Sequence, residues 1–496
     1  MLFVQHFIWH TSMHNEQLFD HKSLQIYSLL MELHLKNNHL SKTELCTCLK
    51  ITAPTLTQLI EHINSFDPHI LKVTRHEVIL ELPYKSSTIT NLNHTLLATS
   101  PKFQLLDTYF KHSYLTREEA AQQLNISLTS INKLVGECNT LLKEFKLELK
   151  QNMVRGLGIQ YFYFYYNFYW NNPHIGNGLD NIVLSDHGFK DFASTKLNCD
   201  LNIIQVQQIS LWLSLLSAKH ELLQKYFVHE ERPENFYAIR ETPLFQVLLT
   251  YFKQNWTYLN VSIIEYYSYL TFIFLNIHNV IYYPITEINS LFVGSECQQL
   301  LEQVTTILTN SYSFNDNFIS LRSSLYFTIN KLLLLDGYYY AYDVLVLKNS
   351  ARKTQPFEEK VIQEILQIPV SLGFKLPAYK LTAIRDNLRM MIYPYKNLKR
   401  QALQIGVISQ LPIATRYAYI TGMQNILNKD HNVVVSDFVA HNHYDLIISD
   451  FELTEPQQFH TPILTLDDLN IQSNLTLLEK TIAKLESERY QPLILQ

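Results

Sequence analysis

The stretch LTREEAAQQLNISLTSINKLVGECNTLLKEF, residues 115–145, predicts two short helices joined by a tight turn. Thr116 and Glu119 have the spacing of a capping box, which satisfies the free amides at the start of a helix. Ala120 is small where a second helix must cross closely, and Ser127 can cap that second helix. This pattern is more specific than that of an ordinary helical hairpin, and it predicts a helix-turn-helix.

The second helix of this motif has two distinct faces. The residues predicted to face the core recur at helical spacing and are Ile131, Val135, Cys138 and Leu142. The residues predicted to face outward are Leu128, Thr129, Asn132, Lys133 and Gly136. A helix held in this way presents its N-terminal half to the major groove of DNA. We therefore predict that Thr129, Asn132 and Lys133 contact DNA.

The same pattern occurs about 75 residues earlier, and this first copy along the chain is LSKTELCTCLKITAPTLTQLIEHIN, residues 40–64. Ser41 and Glu44 take the places of the capping-box residues. Pro54 falls in the first turn of the second helix, where its missing amide costs little. Two matches at a fixed offset predict a duplicated unit. The outward positions of this copy are less basic, and three of them are predicted DNA contacts: Thr55, Thr57 and Gln58.

The first copy also has the flanking elements of a winged helix-turn-helix. A helix is predicted before it at residues 22–35. Behind it, residues 70–73 and 77–82 alternate between apolar and polar side chains around a short turn, which predicts a β-hairpin. This order of elements predicts the first winged helix-turn-helix unit.

The second copy has a similar order of elements. A helix is predicted at residues 102–111, and strands are predicted at residues 146–150 and 158–161. Lys150 and Arg155 would then lie on the wing of this second unit. Lysine and arginine side chains at such a position contact DNA phosphates, so both are predicted DNA contacts.

Long helices follow the second unit. The run YFYFYYNFYW, residues 161–170, opens this region and predicts buried aromatic packing. Seven helical patterns then form two consecutive groups, which predict two helix bundles divided near residues 284–294. These patterns cover residues 202–226, 242–255, 261–282, 295–309, 317–335, 357–366 and 377–392.

Short apolar runs alternate with helical patterns after residue 400. Strands are predicted at residues 405–409, 432–436, 444–449 and 462–466, and helices at residues 414–427 and 474–487. Strands and helices that alternate at this length predict a small parallel α/β sheet. The predicted fold class is a mainly α multidomain protein with two winged helix-turn-helix units, two helical bundles and a small C-terminal parallel α/β domain. The predicted domain ranges are 16–85, 95–160, 161–284, 285–399 and 400–496.

Composition restricts the class of protein. The five cysteines are scattered and show no metal-ligand spacing, so we expect no metal or other cofactor and a reduced, cytoplasmic compartment. Residues 1–12 lack the basic start and the small-residue cleavage site of a secretion signal, and Met13 is a second candidate start. The most apolar run, residues 261–285, contains Glu265, Asn276 and His278, which favours a core helix over a membrane span.

The charge is unevenly distributed along the chain. Residues 1–160 contain 15 Lys and Arg against 14 Asp and Glu, a balance of +1 within a total of −5. The N-terminal part is therefore only weakly basic for a DNA-binding region. Its outward helix faces contain no arginine that could bind guanine through two hydrogen bonds. We therefore expect modest sequence specificity, with recognition through DNA shape.

This order of parts resembles the Mga family of transcriptional regulators of Gram-positive bacteria. The resemblance covers nearly the whole chain and is carried by LTREEAAQQLNISLTSINKL (115–134), RGLGIQYFYFYYNFYW (155–170) and YDLIISD (444–450). It implies that the bundles are phosphotransferase-system regulation domains (PRDs), regulated through phosphorylated histidines. It also implies that the last domain is similar to the enzyme IIB component of sugar transporters and helps the protein to self-associate.

The first departure from the family pattern concerns histidine. No histidine lies between His278 and His431, so the second bundle lacks the residue that is usually phosphorylated. In the first bundle, His220 and His229 lie near a helix end and are the best candidates for phosphorylation. The alternative for each of them is an ordinary surface or core histidine.

The second departure concerns the C-terminal domain. Enzymatic IIB domains carry a phosphorylated cysteine after the first strand, where this chain has Ser409 to Pro412, and no cysteine follows Cys297. Because a thiolate is the nucleophile in that transfer, the domain cannot perform it. We therefore expect a binding and assembly domain without enzymatic activity.

Three functions remain open from the sequence. The first is a transcription regulator that binds double-stranded DNA. It would self-associate, most simply as a dimer, and interact with a phosphocarrier of the phosphotransferase system. The second is a phosphotransfer enzyme or carrier, against which the missing cysteine and the histidine-free bundle count. The third is a protein-binding sensor of the phosphotransferase system that has lost DNA contact, which the weak positive charge leaves open.

Overall fold

A computed structural model divides the chain into two compact bodies. The N-terminal body comprises residues 1–293 and 334–344, and the C-terminal body comprises residues 294–333 and 345–496. Most of the described chain is helical, and a parallel sheet lies near the C-terminus, so the predicted fold class is confirmed. The structure describes residues 13–36, 38–66, 68–81, 87–172, 188–223, 225, 236–278, 280–281, 295–312, 318–337, 339–340, 356–374, 376–392, 402–452, 459–466 and 471–489.

The first winged unit has the predicted helices and hairpin, with one further strand. Its three strands form an antiparallel sheet in the order β2-β4-β3, so the strand before the helix-turn-helix pairs with the second strand of the wing. A short strand β1 (Met13–His14) precedes the unit. The unit itself contains α1 (His21–Leu35), β2 (His39–Ser41), α2 (Lys42–Leu49), α3 (Ala53–Phe66), β3 (Leu71–Val73) and β4 (Glu77–Leu80).

The second winged unit has the same order of helices and wing, with an additional helix in front and no counterpart of the strand at His39–Ser41 among its described residues. Its two-stranded wing is antiparallel and pairs Glu148 with Arg155 and Lys150 with Met153. Its elements are α4 (Ser87–Ala98), α5 (Pro101–Lys111), α6 (Arg117–Leu124), α7 (Leu128–Leu142), β5 (Glu148–Lys150) and β6 (Met153–Arg155).

The prediction of the second wing strand at residues 158–161 was wrong. Gln151 and Asn152 both have positive φ, 50° and 66°, so the hairpin closes through a two-residue turn and the strand begins at Met153. The strand ends before Gly156, whose φ is 150°. A Cβ at this position would lie 2.7 Å from the carbonyl oxygen of Lys146. Gly158 then begins the next helix, α8 (Gly158–Trp170).

An asparagine clamp ties the last turns of α3 and of α7 to the wing of the same unit. The amide of Asn139 donates to the carbonyl of Leu149 at 3.2 Å, and its oxygen accepts from the Leu149 amide at 2.5 Å. Asn64 makes the same pair of bonds with Leu71, each at 3.2 Å. The two asparagines are separated by the same 75 positions as the capping boxes. This shared contact supports the internal duplication.

The aromatic helix α8 is buried on all sides, as its sequence predicted. Every residue from Gln160 to Tyr169 is buried. On one side it packs against α5, where the rings of Phe168 and Phe103 stack at 4.5 Å. The Tyr169 hydroxyl also donates to Asp107 of α5 at 2.8 Å. The first bundle surrounds the other side, so one hydrophobic core runs from the winged units into that bundle.

The first bundle completes the N-terminal body. The predicted helix at 202–226 ends at Ala218, and a three-residue helix follows it. Among the described residues, no helix is both long enough and apolar enough to cross a membrane. The bundle contains α9 (Phe189–Lys196), α10 (Ile203–Ala218), α11 (His220–Leu222), α12 (Phe236–Arg240), α13 (Pro243–Asn255) and α14 (Val261–Ile277).

The C-terminal body contains the second helical group and the α/β domain. The sheet is parallel throughout, in the order β11-β10-β8-β9, as the alternating pattern predicted. Its terminal helix packs against α17, where the Lys360 ammonium donates to the carbonyl of Ser487 at 2.5 Å. The elements after α14 are α15 (Ser295–Ser311), α16 (Phe318–Leu334), β7 (Tyr339–Tyr340), α17 (Pro356–Ser371), α18 (Ala378–Ile392), β8 (Leu403–Ile408), α19 (Ile413–Leu427), β9 (Val433–Asp437), β10 (Leu446–Ser449), β11 (Ile463–Thr465) and α20 (Ile471–Arg489).

The short strand β7 belongs to the N-terminal body and pairs with β1 in parallel. The predicted boundary between the two bundles, residues 284–294, lies outside the described residues.

A buried lysine joins the first bundle to the second winged unit. The ammonium of Lys219, at the end of α10, donates to the Lys111 carbonyl at 3.3 Å and to the Ser113 hydroxyl at 3.2 Å. It also lies 4.5 Å from the centre of the Phe110 ring. No carboxylate pairs with it in the described part of the chain. Burial therefore lowers the pKa of Lys219 to about 8.

Replacement of Lys219 by Met should change how stability depends on pH. The native pKa of about 8 lies below the ordinary value of 10.5, so the unfolded chain binds more protons between these values. Stability of the wild type should therefore rise with pH across this window, by on the order of 1–3 kcal/mol. We expect K219M to lack this rise in the midpoint temperature of unfolding between about pH 7 and pH 10. Lys133→Met, at an exposed site, is the control, and equal pH profiles for K219M and wild type would contradict the assignment.

Candidate nucleic-acid interface

The helix-turn-helix of the second unit is held by caps at both helix starts. The Thr116 hydroxyl accepts from the Glu119 amide at 3.2 Å, and the Glu119 carboxylate accepts from the Thr116 amide at 2.8 Å. The Thr116 amide and hydroxyl both donate to the Glu119 carboxylate, and these two bonds hold the pKa of Glu119 below its ordinary value. Asn125 adopts the left-handed conformation in the turn, with φ 51°, and Ser127 caps α7 through the Ser130 amide at 3.1 Å. The predicted motif is therefore present, with both capping predictions confirmed.

The two faces of α7 are as the sequence predicted. The four predicted core residues, Ile131, Val135, Cys138 and Leu142, are all buried, and Leu134 joins them. Burial raises the pKa of the Cys138 thiol to about 12, which leaves it an unreactive core residue. The five predicted outward residues, Leu128, Thr129, Asn132, Lys133 and Gly136, are all exposed. The N-terminal half of α7 thus presents an exposed face.

The basic residues of the second unit lie at the edge of this face and on the wing. The Lys133 side chain is 82% exposed, and its ammonium lies 3.9 Å from Glu137, a weak contact that leaves it free to move. On the wing, the Lys150 ammonium lies 3.3 Å from the Glu148 carboxylate. Arg155 is exposed and forms no ion pair with any described residue. Arg155 is therefore the wing cation most available to a phosphate.

The first unit offers a less basic surface. Thr57 and Gln58 are exposed on α3, as predicted. Thr55 is only half-buried rather than fully outward, and its hydroxyl lies 2.8 Å from the hydroxyl of Thr52. The Thr55 amide also donates to Thr52 at 3.4 Å, so Thr55 takes part in starting α3. The structure thus leaves two of the three predicted residues with a fully exposed side chain.

One arginine outside the predicted DNA contacts lies beside the exposed face of α7 in the second unit. Arg117 is the first residue of α6, and its guanidinium donates to the side-chain oxygen of Asn132 on α7. The two residues are separated by 15 positions, so helical spacing did not connect them. The outward face of α7 itself contains no arginine, and α6 places one beside that face across the turn.

The two candidate phosphorylation sites differ in what the structure shows. His220 begins α11, is half-buried and lies next to Lys219 in the chain. Its Nδ1 atom is 3.2 Å from the carbonyl oxygen of Ser217. In the neutral ring, a proton on Nδ1 would donate to this carbonyl and leave the lone pair on Nε2. His229 lies outside the described residues.

In the α/β domain, Ser409 directly follows β8. Its hydroxyl donates to the Asp450 carboxylate at 2.6 Å, and the Gln410 amide donates to the same carboxylate at 3.2 Å. The carboxyl end of the first strand is thus tied to the end of β10. Ser409 is engaged in an internal hydrogen bond.

Comparison with known proteins identifies one segment of the chain. Residues 85–169 match the family model described as the Mga helix-turn-helix domain. No curated protein matches the chain at a significant level. The matched segment begins just before α4 and ends within α8, and it includes the capped α6 and α7 and the wing. The match shows that residues 85–169 are similar to the Mga helix-turn-helix domain, which supports DNA binding and transcription regulation.

Proposed function

We propose that the protein is a transcription regulator that binds double-stranded DNA through its winged units and responds to histidine phosphorylation and self-association. The observation that carries DNA binding is the exposed N-terminal half of α7 on a capped helix-turn-helix of the Mga type. Helices in this setting enter the major groove, while basic wing residues contact phosphates.

The second unit should provide most of the DNA affinity. Its exposed surface carries Lys133, Lys150 and Arg155, whereas the exposed residues predicted for the first unit, Thr57 and Gln58, are uncharged. Phosphate contacts by lysine and arginine release counterions and supply much of the free energy of DNA binding. The alternative function, a protein-binding sensor without DNA contact, has no such dependence on salt.

Replacement of Lys133 and Arg155 by Ala should weaken DNA binding and reduce its salt dependence. Each lost phosphate contact should lower the slope of log affinity against log salt by about one, so the double variant should lose about two. Fluorescence anisotropy with duplex DNA over a salt series measures this slope for the full chain. Replacement of Thr57 and Gln58 by Ala is the comparison, and it should leave the slope unchanged.

Two results would contradict this assignment. An unchanged slope in the Lys133 and Arg155 variant would mean that these side chains face away from DNA. Absence of any complex at low salt would favour the sensor function.

Phosphorylation is proposed for His220. Its Nε2 atom carries the lone pair that attacks a phosphoryl donor, because Nδ1 is bonded to the Ser217 carbonyl. The neighbouring Lys219 contacts Lys111 and Ser113 of the second winged unit. Negative charge added at His220 would therefore arise beside the contact that joins the bundle to the DNA-binding region.

His220→Ala should abolish labelling by a phosphorylated phosphocarrier of the phosphotransferase system. The expected product on the wild type is an acid-labile phosphate on His220, located by mass spectrometry of the full chain. His112→Ala, at an exposed histidine of the second unit, serves as the control and should keep the label. Full labelling of H220A would place the phosphate on another histidine.

Self-association is proposed through the exposed face of α19 in the α/β domain. Ile413 is 79% exposed and Tyr417, one turn later, is 73% exposed. The only charged residue of this 15-residue helix is Arg416, which pairs with Asp437 at 3.1 Å. A two-fold dimer brings the same patch of both copies together. Because this face is apolar and the one charged residue of the helix is paired, two copies can pack against each other here without like-charge repulsion.

Tyr417→Glu should convert a dimer into a monomer and weaken DNA binding. Light scattering of the full chain measures the mass, and the anisotropy assay measures the affinity. Leu477→Glu, a similar change at an exposed position of α20, is the control. A point variant tests self-association better than removal of the α/β domain after Lys399, because that truncation would also remove α20, which packs against α17. A dimer that survives Y417E would place the self-association surface elsewhere.

A further inference from the structure

The arginine at the start of α6 and the asparagine on α7 form one unit at the reading face of the second winged unit. The Arg117 guanidinium donates to the side-chain oxygen of Asn132. Both residues are exposed. Asn132 is the fifth residue of α7, within the part of a recognition helix that contacts base edges. The hydrogen bond therefore holds the arginine beside the region where a base pair would lie.

This bond decides which hydrogen-bonding groups the pair presents. An asparagine that reads adenine uses its oxygen to accept and its amide nitrogen to donate. Here the oxygen of Asn132 is directed to Arg117, so the amide offers its NH₂ group outward. The guanidinium has five N–H donors and no acceptor. One of the two lone pairs of the Asn132 oxygen is thereby occupied, so the pair as a whole presents mainly donors.

A surface made mainly of donors matches one base edge in the major groove best. Guanine offers two acceptors there, N7 and O6, whereas adenine offers an acceptor and a donor. Thymine offers one acceptor and a methyl group, and cytosine offers a donor. We propose that Arg117, held by Asn132, reads a guanine through N7 and O6 and is the main determinant of sequence specificity in the second unit. This inference rests on the proposed DNA-binding function.

A phosphate contact is the competing role for Arg117, because the helix before a recognition helix crosses the DNA backbone. The two roles have different consequences. A phosphate contact carries no sequence information, and its loss lowers the salt slope by about one. A base contact gives sequence preference, and its loss leaves the salt slope nearly unchanged. Salt slope and guanine preference together therefore distinguish the two roles.

The test uses the full chain and a random-sequence duplex library. Duplexes selected by the wild type should share a guanine at one position, and replacement of that guanine by another base should weaken binding about 5- to 150-fold. Substitution by 7-deazaguanine, which lacks N7, should weaken wild-type binding as well. R117A should bind the guanine and 7-deazaguanine duplexes equally, with an unchanged salt slope. R117K, which keeps the charge but not the fork of donors, should also lose the guanine preference.

Arg155→Ala is the matched control, since Arg155 is another exposed arginine of the same unit. It should bind every duplex more weakly, lose about one unit of salt slope and keep the guanine preference. If R117A kept the guanine preference and lost one unit of slope instead, Arg117 would be a phosphate contact and the inference would be wrong. If the wild type bound duplexes without any guanine preference, the inference would fail while the proposed function stood. If the wild type bound no duplex, both would fail.

Discussion

The burial of α8 on all sides is the constraint on which the N-terminal body depends. A surface helix of a globular protein buries one face, so a helix that is apolar all round must be surrounded. Helix α5 of the second winged unit covers one side, through the stacked rings of Phe103 and Phe168. Helices α10 and α14 cover the other, where the Tyr166 ring lies 6.1 Å from Trp212 and 4.8 Å from Phe274. The winged unit and the first bundle therefore share one core.

This shared core gives the bundle a physical route to the recognition helix. Lys219 at the end of α10 is bonded to the carbonyl at the end of α5, and α5 packs against α6 and α7. His220 follows Lys219 in the chain and therefore lies beside this contact with the second winged unit. The route consists of packed side chains and hydrogen bonds, and regulation through it requires two discrete arrangements of these elements. For such regulation, a phosphoryl group on His220 would have to stabilise one of these arrangements more than the other.

The proposed DNA-contacting face of the second unit combines residues from three separate elements: α6, α7 and the wing. Helix α7 provides the exposed Asn132, and α6 provides the arginine that binds it. The wing adds Arg155, which the two-residue turn at Gln151 and Asn152 places opposite Glu148. The charge of the unit is low overall, so its chemistry depends on where a few cations are held. The proposed recognition of DNA therefore depends on the positions of these cations rather than on net charge.

The sequence by itself determined the helix-turn-helix, its duplication, the helical groups and the parallel sheet. These features follow from local rules, because capping spacing and the periods of apolar residues act within one element. Only the tertiary structure decided the Arg117–Asn132 pair, the clamp of Asn139 on Leu149 and the burial of Lys219. Each of these contacts joins residues of different elements, and no periodicity within one element encodes such a contact. The misplaced wing strand has the same origin, since the turn at residues 151–152 depends on left-handed backbone that the sequence did not signal.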